Sequence, residues 1–137
     1  MYMMKGMTRG EFDVYELRDD EFGLYDLRIT TVHLDTSLPL ICNHPEGSFY
    51  ELSGENLSLP DGGTIPIYPL AAVLPILPAK QRMNPSNDWI ETDAHVRCPD
   101  PCCGGAFHIE RTGVTVFRNS EVSGAIGGPN DNRRNAP

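Results

Sequence analysis

The residues whose types and spacing suggest chemistry stand together in one short segment, residues 98–105. The segment reads Cys-Pro-Asp-Pro-Cys-Cys-Gly-Gly and holds three of the four cysteines of the chain. Its two prolines restrict the backbone, and its two glycines allow a tight reversal. Such a turn gathers thiols in a small volume, which is typical of a metal-binding knuckle or of a loop that carries a reactive thiol.

The fourth cysteine, Cys42, lies two residues before His44 in a loop. Zinc and mononuclear iron favour four nitrogen or sulfur ligands in tetrahedral geometry, and two loops commonly supply one pair each. We therefore predict a zinc or iron site whose ligands are Cys42, His44, Cys98 and Cys103, with Cys102 as the alternate to Cys103. Two other interpretations stay open: small buried cysteines that only pack, and a nucleophilic or redox-active thiol.

Three residues near the cysteines are candidates for catalysis. His95 and His108 bracket the cysteine turn on strands that we expect to pair, and each imidazole is a candidate metal ligand or acid–base group. Asp100 is a candidate because a carboxylate often orients a ligand histidine, although its place between two prolines is most typical of an Asx turn. The sequence leaves open which of these groups would be catalytic.

A basic segment at the end of the predicted helix supplies candidate binding residues. Lys80 and Arg82 either complement the helix dipole or bind a substrate carboxylate or a partner. Trp89 is a further candidate for substrate or partner binding, and together with Ile90 it is expected to anchor its loop to the core. The sequence contains no phosphate-binding glycine loop and no dinucleotide fingerprint, so we expect no nucleotide cofactor.

Composition limits the class of protein. The 137 residues carry a net charge of −8, which argues against nucleic acid as the partner, because phosphate contacts need clustered lysine and arginine. No run approaches the roughly 20 apolar residues of a membrane span, and the N-terminus lacks the apolar core of a secretion signal. We therefore expect a cytoplasmic protein without a membrane or nucleic-acid partner, whose thiols stay reduced.

Patterns of apolar residues predict the elements that must position these groups. Three hairpins are expected, together with a short strand over residues 95–98. The hairpins join residues 11–18 with 24–34, residues 48–52 with 57–59, and residues 106–110 with 114–117. A shift of the apolar phase at Thr30-Thr31 predicts a β-bulge in the first long strand. The one helix candidate, residues 67–82, contains Pro75 and Pro78, which must kink or end it.

These elements predict an α+β fold of mostly antiparallel strands with one short Pro-kinked helix. The length suits a single hydrophobic core. We expect residues 1–10 to be a flexible N-terminus, residues 11–119 a single compact domain and residues 120–137 a disordered tail, because the last segment has very few apolar side chains.

Several short motifs occur along residues 24–117. They are Cys42 followed by Gly47-x-Phe49, then Leu59-Pro60-x-Gly62, Tyr68-Pro-Leu-Ala-Ala-Val-Leu-Pro75, Leu77-Pro-Ala-Lys-Gln-Arg82, Asp88-Trp89 and Cys98-Pro-Asp-Pro101. In this combination the chain resembles a family of small, largely uncharacterised bacterial proteins with spaced cysteines. The most specific parts of the resemblance are residues 77–82 and 98–101.

The resemblance implies roles for two cysteines. One family cysteine precedes Gly-x-Phe and another opens the Cys-Pro-Asp-Pro turn, and these positions match Cys42 and Cys98. Many members carry a further cysteine just before the helix, where this chain has Ile67-Tyr68. The resemblance thus leaves Cys102 or Cys103 as the substitute, and it implies no settled activity.

These observations lead to three hypotheses about function. The first is a small metal-binding subunit or accessory protein of a larger bacterial metabolic enzyme of carboxylase, decarboxylase or hydrolase type, an analogy with other small zinc-bearing subunits. The second is a stand-alone small enzyme that uses a metal or a thiol on a small carboxylate substrate. The third is a non-catalytic binding domain that a metal stabilises. The first predicts a larger enzyme subunit or a second copy as partner, and an exposed apolar patch at Leu74, Ile76 and Leu77.

Overall fold

The computed structural model describes residues 11 and 16–123, in which five strands form one antiparallel sheet. The strands are β1 (Glu21–His33), β2 (Phe49–Ser53), β3 (Asn56–Ser58), β4 (His95–Arg97) and β5 (Gly105–Arg118), in the spatial order β3-β2-β1-β5-β4. The helices are α1 (Ile67–Val73), α2 (Leu77–Lys80), α3 (Trp89–Thr92) and α4 (Asn119–Val122), with a 3-10 turn at Pro60–Gly62. The predicted α+β fold is confirmed, with four short helices between Ile67 and Val122 where the sequence predicted one.

Three predictions lie wholly or partly outside the described residues. These are the expected flexible N-terminus, residues 12–15 of the first predicted strand, and residues 124–137 of the expected tail. Residues 16–18 belong to no helix or strand, and β1 pairs with β2 and β5 instead. For the described residues, the hairpin predicted between residues 11–18 and 24–34 is therefore wrong.

The central pair of the sheet is β1 with β5, whose pairing extends from Glu21 opposite Arg118 to His33 opposite Gly105. The predicted hairpin between residues 106–110 and 114–117 is wrong, because β5 continues through Arg111-Thr112-Gly113. Asp26 faces Gly113 and Leu27 faces Arg111, so Thr112 is an extra residue in β5. A bulge absorbs such a residue without reversing the chain, since the long partner strand keeps both sides of it paired.

The bulge predicted at Thr30-Thr31 is also wrong. Both residues stay in register, opposite His108 and Phe107 respectively. Thr31 takes a fully inward position after Leu27 and Ile29, so the inward face continues at every second residue and the apolar phase does not shift. A polar residue on the core face produced the apparent shift in the sequence.

The core lies on the face of the sheet that the helices cover. Leu27, Ile29, Val114 and Val116 are fully buried there with Val73 of α1. The predicted single helix is two helices, α1 and α2, which residues 74–76 separate around Pro75. Proline cannot donate the backbone hydrogen bond that a continuous helix would need at this position.

The remaining predictions about packing have mixed outcomes. The β2–β3 hairpin and the short strand β4 are confirmed. Ile90 is buried as expected, but Trp89 is 56% exposed and anchors nothing in the core. In the predicted exposed apolar patch, Leu74 is exposed as expected. The prediction is wrong for Leu77, which is buried in the same core cluster as Val73. Among the described residues, no helix has the length and apolar character needed to cross a membrane.

Candidate metal centre

Three cysteines meet where the loop after β1 contacts the turn between β4 and β5. The Sγ atom of Cys42 lies 3.2 Å from that of Cys98 and 3.2 Å from that of Cys103. All three sulfurs lie within 4.8 Å of one another, and all are free thiols. This cluster is compatible with binding a metal ion.

Local hydrogen bonds fold residues 98–105 into the turn that brings Cys98 and Cys103 together. The Cys98 N–H donates to the Gly105 carbonyl at 3.0 Å, and the Cys103 N–H donates to the Asp100 carbonyl at 3.0 Å. The Asp100 carboxylate accepts the Cys102 N–H at 2.8 Å, which is an Asx turn. The turn thereby directs Cys103 inward, where it is 1% exposed, and leaves Cys102 in solvent.

Two glycines let the loop of Cys42 approach this turn. A Cβ at Gly104 would lie 2.1 Å from the Asp35 carbonyl oxygen, and a Cβ at Gly105 would lie 2.8 Å from Cys42 Sγ. The Gly104 N–H also donates to the Pro39 carbonyl at 2.8 Å. Any larger residue at either position would push the two segments apart, so the glycines are part of the thiol cluster's construction.

Backbone donors surround the sulfur of Cys103. The N–H groups of Ile41 and Gly105 point at its Sγ at 3.4 and 3.3 Å. Burial raises the pKa of this thiol, but these donors and the Cys42 thiol outweigh burial and lower the pKa to about 7. Burial, followed by the two neighbouring thiols, raises the pKa of Cys42. Cys103 is therefore the thiol that is prepared to be a thiolate, whereas Cys42 needs a cation to displace its proton.

The sulfur separations suit a metal better than a disulfide. A disulfide requires about 2.05 Å between sulfurs, and two Zn–S bonds of about 2.3 Å at a tetrahedral angle place sulfurs about 3.8 Å apart. The observed 3.2 Å lies between these values. A widening of roughly half an ångström would give the geometry of a bound zinc ion.

A cavity of about 420 Å³ opens beside the cluster. Cys42 and Cys98 line it, whereas Cys103 does not. The other residues that line it are mostly apolar, and Asn43 and Asp100 supply the charged and amide side chains. These lining residues are Ile41, Asn43, Pro66, Tyr68, Pro69, Pro99 and Asp100. Tyr68 is 78% exposed at this edge. A small molecule in this cavity can thus reach the thiols of Cys42 and Cys98.

His44 lies apart from the three sulfurs. It is buried, and its Nδ1 is 2.7 Å from the Thr31 hydroxyl on β1. Burial lowers the pKa of its imidazole, which favours the neutral ring. The described cluster contains cysteines alone, so three of the four predicted ligands are brought together and His44 is not among them.

The candidate catalytic residues lie around the cysteine turn. His95 and His108 are direct partners across β4 and β5, as expected, with ring centroids 5.1 Å apart. Asp100 caps the turn through the Asx hydrogen bond and also lines the cavity. Of these three residues, only Asp100 lines the cavity beside the thiols.

The predicted binding residues, Lys80, Arg82 and Trp89, have separate environments. Lys80 is buried, and its ammonium group donates to the Asp93 carbonyl. Burial lowers the pKa of Lys80, and the nearby Arg111 adds to this effect. Arg82 lies 5.7 Å above the Phe22 ring, and Trp89 is exposed on α3. None of the three lines the cavity at the cysteines.

Sequence reasoning missed two features of this region. Arg111, within the supposed turn, forms a two-pronged ion pair with Glu91 at 2.6 and 2.7 Å. Tyr68, the second residue of α1, forms a wall of the thiol cavity, and its spacing from the cysteines in the sequence gave no signal of this position. Comparison with protein-family models, with curated proteins and with solved structures finds no match for this chain.

Proposed function

We propose that Cys42, Cys98 and Cys103 hold one zinc or ferrous ion. The observation that carries this proposal is the convergence of three thiols from two segments within 4.8 Å. The N–H groups directed at Cys103 Sγ supply the hydrogen bonds that a metal-bound thiolate accepts. Soft thiolate ligands select zinc or iron over magnesium or calcium.

We further propose that the protein works as a small metal-binding subunit or accessory protein of a larger metabolic enzyme. Support comes from the exposed apolar side chains beside the thiol cavity, since exposed apolar surface often marks an interface. Ile41, Ile67 and Tyr68 are 52%, 65% and 78% exposed there. The larger enzyme would cover this surface, and the metal would lie at the boundary between the two proteins.

Metal content tests the first part. Untagged protein purified without chelators should carry about one zinc or iron per chain by mass spectrometry. Cys98→Ser and Cys103→Ser should each reduce this occupancy at least about tenfold, because two thiolates hold the ion far more weakly than three. Cys102→Ser is the matched control and should leave it unchanged. Metal-free wild-type protein with four titratable thiols would refute the site.

The subunit proposal needs a separate experiment. A tagged copy expressed in the source cell at its normal level should co-purify with one larger enzyme at fixed stoichiometry. Ile67→Asp combined with Tyr68→Asp should disrupt this association while metal content is retained. A metal-loaded protein that runs as a free monomer and associates with no enzyme would refute the subunit role and leave the metal site intact.

A stand-alone metal-dependent enzyme is the second candidate. The specific observation in its favour is the cavity of about 420 Å³ that reaches Cys42 and Cys98 from solvent. A metal with an open position there would bind a small molecule without help from another protein.

A further inference from the structure

Three cysteines leave the metal one ligand short of a tetrahedron. Within the described ranges, no histidine, aspartate, glutamate or fourth cysteine joins the group of ligand atoms around Cys42, Cys98 and Cys103. Structural zinc sites are closed by four protein ligands, whereas sites that bind a further molecule keep one position open. The composition of the cluster therefore raises the question of what fills the fourth position.

The open position faces the cavity. Cys103 is 1% exposed, and two backbone N–H groups cover its sulfur on the protein side. Cys42 and Cys98 instead line the cavity, so a metal among the three sulfurs has its free side toward that space. A ligand entering from solvent would meet the metal there.

The softness of the donor atom selects the chemical class of this ligand. Three thiolates and one divalent cation have a net charge of −1, and the Asp100 carboxylate lies at the same cavity. This charge disfavours a carboxylate and a thiolate alike, and the centre lowers the pKa of bound water less than a cationic centre does, so charge alone does not choose between these donors. A soft donor atom is preferred by a metal that thiolates already surround.

Shape selects the rest of the molecule. The cavity walls beside the sulfurs are formed by apolar side chains and by the ring of Tyr68; the apolar members are Ile41, Pro66, Pro69 and Pro99. A volume of about 420 Å³ admits a compact apolar group next to the donor atom. The ligand that satisfies both requirements has a sulfur donor on a small apolar body.

We propose that the fourth position takes a small organic thiol with an apolar body, bound as its thiolate. This inference rests on the proposed metal site. The sulfur–metal bond forms as the S–H bond is lost, and the proton passes to water; no electron is transferred. Coordination thereby converts a thiol into a nucleophile at neutral pH.

Cobalt substitution tests the inference with the intact chain. Co²⁺ is loaded into the Cys102→Ser protein, which removes the exposed thiol of this chain and of any second copy. Titration with benzyl mercaptan should raise the sulfur-to-cobalt absorbance saturably by about one third, as three thiolates become four. Benzyl alcohol and phenylacetate, which share the apolar body without the thiol, should leave the spectrum unchanged.

A cavity variant adds a readout independent of the spectrum's shape. Tyr68→Ala should weaken the apparent affinity for benzyl mercaptan about fivefold, because it removes one aromatic wall. Met83→Ala, which truncates another exposed apolar side chain outside the cavity, should have no effect. Ethanethiol should bind more weakly than benzyl mercaptan to the parent protein and be insensitive to Tyr68→Ala.

The outcomes separate the inference from the proposal beneath it. Cobalt that binds to the three cysteines but does not respond to thiols overturns the inference and leaves the metal site standing. A response to phenylacetate with none to benzyl mercaptan also overturns it. A cobalt spectrum of the wild-type protein that already reports four sulfurs, in a dimer, assigns the position to Cys102 of a second copy and overturns it. Failure of cobalt to bind refutes both.

Discussion

Two adjacent cysteines have opposite environments. Cys102 is exposed and its N–H is held by the Asp100 carboxylate, whereas Cys103 is buried with N–H groups at its sulfur. The Asx turn determines this difference, because it fixes which of the two side chains points back toward Cys42. The sequence analysis kept both cysteines as candidate ligands, since the spacing of cysteines along the chain does not give the direction of each side chain in an irregular turn.

The first prediction at this scale concerns Gly105. In Gly105→Ala the new Cβ would lie 2.8 Å from Cys42 Sγ and 3.2 Å from Cys103 Sγ. We expect metal affinity to fall about 10- to 100-fold, because the sulfurs must separate from their present positions. Competition with a chromogenic chelator measures this affinity. Gly63→Ala, whose Cβ would meet only the Pro60 carbonyl, is the control. Equal affinity in the two variants would contradict the role of Gly105.

His44 shows what residue spacing could not reveal. The Cys42-x-His44 pattern suggested two ligands on one loop, yet the imidazole is bonded to Thr31 in the interior. Thr31 is available because it occupies an inward position of β1 that apolar residues normally take. The pairing of a polar strand residue with a loop histidine depends on tertiary structure, so local sequence does not predict it.

At the scale of the elements, one arginine connects three of them. Arg111 on β5 pairs with Glu91 on α3, and its Nε and Nη2 donate to the carbonyls of Lys80 and Arg82. Its guanidinium also lies 4.1 Å above the Tyr25 ring. The bulge at Thr112 sits directly after Arg111 in β5. A residue read as part of a turn is therefore a main contact between the sheet and the helices.

The second prediction follows from this ion pair. The hydrogen bonds from Arg111 outweigh burial and lower the pKa of Glu91 from 4.5 to about 2. A lowered pKa stabilises the folded state above pH 4.5, and this stabilisation is lost as the pH falls toward 2. Glu91→Gln should destabilise the protein by about 2 kcal/mol at pH 7. Urea unfolding of both proteins should show the difference shrinking between pH 4.5 and 2.

A matched control uses a second ion pair. Glu51 lies 3.5 Å from Arg28, and both side chains are more than 40% exposed. Glu51→Gln should therefore cost no more than about 0.5 kcal/mol at any pH. If the stability difference between wild type and Glu91→Gln were the same at pH 7 and pH 3, the assigned pKa shift would be wrong.

The sequence predicted correctly those elements whose strand pattern and turn residues lie close together in the chain. The β2–β3 hairpin has a turn of Gly54 and Glu55 between alternating strands, and Gly54 has a positive φ of 60°. The two long strands, β1 and β5, were harder to predict from the sequence. Residues 106–117 contain a glycine-bearing triplet typical of a turn, and only the length of β1 opposite them makes one continuous strand the better solution.

At the scale of the whole molecule, the thiol cluster joins parts of the chain that are distant in sequence. It links the loop that follows β1 to the turn between β4 and β5, across 56 and 61 residues. A metal at this point would hold one end of the sheet together. The sequence predicted the class of fold, the cysteine turn and the meeting of Cys42 with Cys98 and Cys103, but it wrongly included His44 and did not predict the long pairing of β1 with β5 beside this cluster.

The third prediction is therefore about thermal stability. A metal present at about 100 times its dissociation constant stabilises the folded state by about 2.7 kcal/mol. Removing it with a chelator should lower the Tm by roughly 10 °C for a domain of this size. Cys98→Ser protein should start at the lower Tm and should not respond to the chelator. An unchanged Tm in wild-type protein, after mass spectrometry shows that the metal has left, would contradict the prediction.

The pairing of β1 with β5 also sets the order of events during synthesis. Its contacts join Glu21 to Arg118, close to the two ends of the described residues. While the ribosome makes the chain, β1 emerges about 80 residues before its main partner, and such non-local pairing slows folding. The nascent chain thus presents β1 with its β5-facing edge unpaired until β5 emerges, which is the kind of segment that chaperones bind and that aggregates when synthesis stalls.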